Sequence, residues 1–400
     1  MSRRVGRRSA RRDIGPIIAG PPLVYAPDVQ DPTPVVSRDR LLALDVFRGV
    51  TMAGMVIVNN PGDWSHVYAP LLHAPWDGWT PTDLIFPFFL FIVGVSITLS
   101  KKTDGWSILR RTAILFAIGL FLNAFPRFDI AHLRWPGVLQ RIALCYGAAA
   151  AFVYWRRASG RGDERLVRDI ILAILVLLFG YWAVMVLIPG STGMLGDLSM
   201  QGNVAARVDR TLLAGHIYRP YYDPEGLLST LPAIGTTLFG VLTGLWLRQS
   251  RTTGAKANGL IAAGVIGIIV GLIWGLWFPI NKALWTSSYT VFAAGGAALL
   301  LGLCLLVIDV AGWKAWTRPF VILGRNALAL YVLSGLLTDI IHAIRVGPGE
   351  GTTLHGWIYQ HGFVPFLSPI NASLAFAIAN LVVLFLALWA MDRRGIMWRV

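Results

Sequence analysis

The chain has 400 residues, 55% of them hydrophobic and only 14% charged, a balance that excludes an ordinary soluble globular domain and makes a polytopic membrane protein the first reading. The formal net charge of +14 would suit nucleic acid, but the basic residues stand between apolar runs, as topology signals do, so no nucleic-acid partner is expected. Cys145 and Cys304 both fall inside apolar runs, which leaves neither a disulfide framework nor a metal-ligand spacing, and no metal is assigned.

Residues 1–36 begin MSRRVGRRSARR and run through a Pro-rich stretch to DPTPVV. The apolar patch IGPIIAGPPLVYA is too broken by Pro and Gly for a signal-peptide core. Two readings stand for this segment: a disordered cytoplasmic tail touching anionic lipid headgroups, or a solvated basic tail with no partner. Residues 37–400 form the membrane domain. A membrane helix needs about 20 mostly apolar residues, and such segments run over residues 41–60, 84–100, 109–125, 136–155, 170–188, 228–247, 259–280, 285–309, 320–341 and 372–391. The predicted fold is therefore all-α, a polytopic membrane helix bundle of about ten transmembrane helices.

Alternating the connections sorts the charges. One side collects the Arg-rich tail, Lys101, Lys102, Arg110, Arg111, Arg156, Arg157, Arg161, Arg165, Arg168, Arg248, Arg251, Lys256, Lys314, Arg318, Arg393, Arg394 and Arg399. The other holds Arg127, Arg134, Arg207, Arg210, Arg219, Lys282 and Arg345 over longer loops. The positive-inside bias then places both termini in the cytoplasm. All seven histidines lie in or beside the outer connections, which favours chemistry on the outer face, although longer loops also collect polar residues.

Polar groups at membrane depth need a partner or a wet path. In the first span Asp45 and Arg48 share a helical face and can pair, or can anchor the cytoplasmic end. Asn59 and Asn60 close that span, where their amides either polarise a carbonyl or cap backbone groups. Then comes HAPWDGWTPTDLIFPFFLFIVG, with His73 ten residues before Asp83. An imidazole takes a proton near neutral pH and a carboxylate can fix its tautomer. Against this, a loop histidine beside tryptophans such as Trp76 suits an interface, and TPTD suits a helix cap. Gln140 and Arg141 enter an otherwise apolar fourth span, where Arg141 needs Asp83, Asp45 or a ligand phosphate. Asp223 and Glu225, just outside the sixth span, either bind a cationic amine or shape a turn. Asn281 and Lys282 sit at another outer junction, where Lys282 also has the option of snorkelling. Arg325 and Asn326 open the ninth span, where they meet a phosphate or serve as positive-inside anchors.

The segments LDVFRG, HAPWDGWTPTDLIFPFFLFIVG, WPGVLQR, DPEGLLSTLPAI, INKALWTSSY and GRNAL occur in an order that resembles the heparan-α-glucosaminide N-acetyltransferase family, from about residue 38 to the C-terminus. The resemblance implies a transmembrane acyltransferase that takes acetyl-CoA from the cytoplasm and passes acetyl to an amino sugar or glycan across the membrane. It implies His73 as the catalytic residue, with Asn59 and Asp83 at the family's matching positions. Bacterial members lack the animal enzyme's luminal domain, so a multi-pass protein of a bacterial inner membrane is expected, and family members can form homodimers. In this scheme Asn60, Trp76, Asp223, Glu225, Asn281 and Lys282 face the acceptor, while Arg48, Gln140, Arg141, Arg325 and Asn326 hold the donor. Direct transfer and an acetyl-histidine intermediate both remain open. The competing class is a secondary transporter of an amino sugar or related solute, which many spans and intramembrane charges would also suit.

Overall fold

The structure, a computed structural model, describes residues 41–100, 104–160, 162–347 and 351–398. The basic tail over residues 1–36 and the topology signals Lys101, Lys102, Arg161 and Arg399 lie outside the described residues.

Helices account for nearly all the regular structure. In chain order they are α1 (Leu42–Asn59), two 3-10 turns (Ala69–Leu71 and Pro81–Leu84), α2 (Ile85–Leu99), α3 (Gly105–Ala124), α4 (Val138–Ala158), α5 (Asp163–Leu187), α6 (Val204–Leu212) and α7 (Thr230–Leu247). Then follow α8 (Thr253–Trp274), α9 (Ser287–Cys304, prolonged by a π-helical turn over Leu305–Val310), α10 (Arg318–Arg325) and α11 (Ala327–Ala343). A two-stranded hairpin, β1 (Arg345–Val346) with β2 (Thr352–Thr353), leads into α12 (Leu354–Gly362) and α13 (Pro369–Arg393).

Five of the helices begin where a side chain satisfies one of their first amides. Asp104 accepts from Ser107, Asn203 from Ala206, Thr252 from Ala255, Thr286 from Tyr289 and Thr353 from Gly356. Among the described residues, nine helices are long and apolar enough to cross a membrane, and a tenth crossing arises if α10 and α11 count as one span. The windows of α3, α5, α8 and α13 are only 17–28% buried, so these helices form the lipid-facing rim, whereas that of α7 is 72% buried and lies at the centre.

Small residues set the central contacts. A Cβ on Gly94 would lie 1.9 Å from the Thr237 carbonyl oxygen, and one on Gly240 would lie 2.0 Å from that of Phe91. Backbones of α2 and α7 therefore touch, as expected where dispersion rather than hydrophobic exclusion holds membrane helices together. A second crossing joins α1 to α10, where Gly49 faces the Phe320 carbonyl and Gly324 faces that of Asp45.

The ninth predicted span departs from the expectation of one straight helix. It is broken, with α10 and α11 meeting at 80° across Asn326. Asn326 has φ −114° and ψ 33°, outside the helical region. Glycine and asparagine are weak helix formers, and here the sequence Gly324-Arg325-Asn326 sits where α1 presses its backbone against α10.

Candidate active site

Two loops at one end of the bundle make the site. The first, between α1 and α2, carries His73 and closes with Pro81–Leu84. Thr80 and Asp83 form a reciprocal capping box there. The Asp83 side chain is 1% exposed, and it does more than cap. Its Oδ2 accepts from the Ala74 amide at 3.1 Å, the Thr80 amide at 3.0 Å and the Thr80 hydroxyl at 3.2 Å. Its Oδ1 stands 2.7 Å from His73 Nδ1. Helix cap and imidazole partner, alternatives in the sequence, are here one carboxylate serving both ends of the loop.

The second loop, between α8 and α9, brings Asn281 and Lys282. Asn281 Nδ2 donates to Asp77 at 3.1 Å, its Oδ1 accepts from the Leu284 amide at 2.8 Å, and the Gly78 amide donates to the Ile280 carbonyl at 2.7 Å. Gly78 has φ +97°, a conformation that favours glycine. The stapled loops place Lys282 Nζ 3.0 Å from His73 Nδ1, 3.4 Å from its Nε2 and 3.5 Å from Asp83 Oδ1. Burial pushes the Lys282 ammonium below the usual lysine range, and the Asp83 carboxylate opposes that shift. Half of the His73 side chain remains exposed, so the imidazole is reachable from outside the bundle.

Nδ1 cannot donate to Asp83 and accept from Lys282 at once. The shorter contact, to a buried carboxylate with no other charged donor nearer, takes the Nδ1 proton, and this leaves Nε2 as the ring's basic nitrogen. The Lys282 ammonium then has the Asp83 carboxylate as its charged partner, with Oδ1 3.5 Å away.

Other predicted residues fall into three groups. Trp76 lies beside the site, its indole donating to the Leu198 carbonyl at 3.0 Å and its ring edge-on to Tyr222 at 5.4 Å. Asp223 and Glu225 are gathered by Arg134: its Nε and Nη2 reach Asp223 at 2.8 and 2.6 Å, and Nη2 reaches Glu225 at 2.5 Å. Burial opposes the charge on Arg134, but the two carboxylates raise its pKa overall. Asp223 also accepts from the Tyr218 and Glu225 amides, so it shapes the turn. Arg141, 1% exposed, pairs with neither Asp83 nor Asp45; its Nη2 donates to the Gly226 carbonyl at 3.0 Å and the Ser229 hydroxyl at 2.5 Å. It therefore stands at the His73 end, as does its neighbour Gln140 in the first turn of α4.

Asn60 is buried and spent between helices, with Nδ2 donating to the Val56 carbonyl and Ser334 and Oδ1 accepting from Thr338. Asn59 is exposed, and among the described residues its amide makes no side-chain hydrogen bond. Arg48, Arg325 and Asn326 belong to the opposite end. Arg48 donates to Asp45 at 3.3 Å and Ser96 at 2.8 Å, and Arg325 faces Asp392 at 3.5 Å.

Tyr289, whose hydroxyl donates to the Asp83 backbone carbonyl at 2.5 Å, and Arg134 were not assigned by sequence reasoning. Tyr289 closes the quoted INKALWTSSY stretch, but its partner is 206 residues away. An apolar cavity of about 370 Å³ between α2, α7, α8 and α9 is lined by none of the His73 cluster.

Comparison with known proteins bears on the same region. Residues 40–162, which hold both His73 and Asp83, match the family model described as heparan-alpha-glucosaminide N-acetyltransferase, catalytic. The chain is 32% identical over 269 residues to the heparan-alpha-glucosaminide N-acetyltransferase of Mus musculus, covering 54% of this chain and 40% of that relative. Against the Homo sapiens protein of the same name it is 32% identical over 257 residues, covering 51% and 38%. The matches thus span less than half the length of these curated relatives. Over these matched stretches, which include His73 and Asp83, the chain is similar to heparan-alpha-glucosaminide N-acetyltransferases.

Proposed function

We propose that the protein transfers an acetyl group from acetyl-CoA to an amino sugar or glycan at the His73 end of the bundle. The observation that carries this is the buried Asp83 carboxylate 2.7 Å from His73 Nδ1, with Lys282 on the other flank of the imidazole. Asp83 holds the ring and the Nδ1 proton, so Nε2 is the working nitrogen, the arrangement that general-base catalysis requires. In the transfer, the acceptor amine forms a C–N bond to the acetyl carbon while the C–S bond of the thioester breaks. His73 Nε2 takes the amine proton and returns it to the departing thiolate. Asn59, whose amide is unengaged, is the proposed donor to the oxyanion. Lys282 keeps the site electrically balanced against Asp83. Trp76 offers a flat apolar surface for a sugar ring.

The arginines at the opposite end, Arg48 and Arg325, are the proposed holders of the donor's phosphates, which would leave its thioester arm to reach inward. That end is then cytoplasmic, in accord with the charge asymmetry of the loops. The protein is thus a multi-pass membrane enzyme that need not carry the sugar across.

Purified protein given acetyl-CoA and glucosamine should release CoA in stoichiometry with N-acetylated product. His73→Ala should lower that rate by about 10²–10⁴-fold; a variant as fast as the parent would refute the assignment. The broken ninth span also suits a transporter. Uptake of labelled sugar into proteoliposomes without CoA release would favour that reading instead.

A further inference from the structure

The break between α10 and α11 holds a side chain that the site above does not use. Asn326 is fully buried, at 0% exposure, and among the described residues neither its Oδ1 nor its Nδ2 has a hydrogen-bond partner. It stands at the start of the 17-residue α11 without capping it. Buried amides are almost always paired, because desolvating one without a partner is costly. Relaxation is blocked locally: Gly324 lies against the Asp45 carbonyl, and Gly49 against that of Phe320, so α1 wedges the bend in place. Broken backbone at membrane depth is tolerated where it is buried in protein or lines a ligand path. A wedged break with an unmet donor and an unmet acceptor indicates a ligand.

The chemistry of that ligand follows from what Asn326 offers. A carboxamide is neutral and presents one acceptor oxygen beside N–H donors. Its neighbour Arg325 already faces Asp392 at 3.5 Å and the Met397 sulfur at 3.3 Å. A phosphate would engage only the Nδ2 half of Asn326 and leave the Oδ1 half orphaned. A secondary amide chain satisfies both, its C=O accepting from Nδ2 and its N–H donating to Oδ1. The position fits an arm rather than a reacting centre, since α11 separates Asn326 from the far end of the bundle by about 24 Å at the helical rise.

We propose that Asn326 binds the amide groups of the donor's pantetheine arm at the α10–α11 break. This rests on acyl-CoA being the donor, as proposed above. Two donors separate arm from phosphates: acetyl-CoA, and S-acetylpantetheine, which has the same arm and no phosphate. Asn326→Leu should raise the donor KM about tenfold or more on both donors, the scale of a lost buried hydrogen-bond pair. It should also abolish the rise in unfolding temperature that acetyl-CoA gives the parent protein. Because leucine removes an unmet amide, the unliganded variant should unfold no lower than the parent. Asn326→Asp, which keeps the shape but loses the donor, should show the same KM effect and serves if the leucine variant does not fold. Unchanged KM and thermal shift in both variants would overturn the inference, as would a loss confined to acetyl-CoA. Parent protein that neither releases CoA nor is stabilised by acetyl-CoA would instead sink the acyl-CoA reading itself.

Discussion

Asp83 combines two tasks that a chain usually divides. With one oxygen it closes the turn through Ala74 and Thr80, and with the other it faces His73. Asp83→Asn keeps the volume and loses the charge that favours a proton on Nδ1. The variant should fold, retain donor KM, and turn over at a rate roughly 10²-fold or more below the parent, measured by CoA release. Asp209 offers a test of a different kind. Its Oδ1 accepts from the Leu227 amide, and burial raises its pKa to about 6, helped by Asp223 and opposed by the Leu227 amide, Arg141 and Arg210. A carboxylate whose folded pKa lies above its ordinary 3.8 binds more protons folded than unfolded between those values. Stability should therefore rise as the pH falls through about 6, level off below the ordinary value, and be lost again as the pH climbs. Thermal unfolding in detergent at pH 7.5 and 5 should show this gain in the parent and a smaller one in Asp209→Asn. The partners of these residues explain what the sequence made legible. His73 and Asp83 are ten positions apart in a single loop, so their pairing was accessible to inspection. Lys282 reaches the same imidazole from 209 residues away, and no local pattern announces such a meeting. Arg134 is likewise claimed by acids 89 and 91 positions downstream.

At the scale of elements, apolar run length served well because a membrane helix must satisfy its own backbone for the whole crossing. All ten predicted spans have a helical counterpart, with ends displaced by up to seven residues. What hydropathy does not encode is continuity. The segment over residues 320–341 is apolar throughout its length yet turns by 80°, because the break depends on the α1 backbone wedged against α10 rather than on polarity. The short α6 and α12 were also invisible to a length criterion designed for crossings. The α2–α7 contact gives a direct test of glycine-mediated packing. Gly94→Val would drive a side chain into the Thr237 carbonyl, which is backbone and cannot swing aside. The variant should lose about 3 kcal/mol or more, visible as a lower unfolding temperature in detergent, even though it changes no polar group.

For the molecule as a whole, the proposed division of labour requires the His73 end and the arginine-rich end to open to different compartments. Ser65 and Ser250 are exposed positions on connections at those two ends. Cysteine at position 65 should react with a membrane-impermeant maleimide on intact cells, and cysteine at position 250 only after lysis. The native thiols interfere little, since Cys145 is buried and Cys304 half-buried. Reaction in the reverse pattern would invert the proposed route of the donor. A last consequence concerns the α8–α9 hairpin, whose tip carries Lys282. Gly264, Gly267 and Gly271 on α8 mesh with Gly295 and Phe292 on α9 at backbone distance. This glycine seam works as a vernier: one notch of axial slip is about 1.5 Å, enough to take the ammonium out of reach of the imidazole. Bulky replacements deep in the seam should therefore silence chemistry at the rim while every residue that performs it stays unaltered.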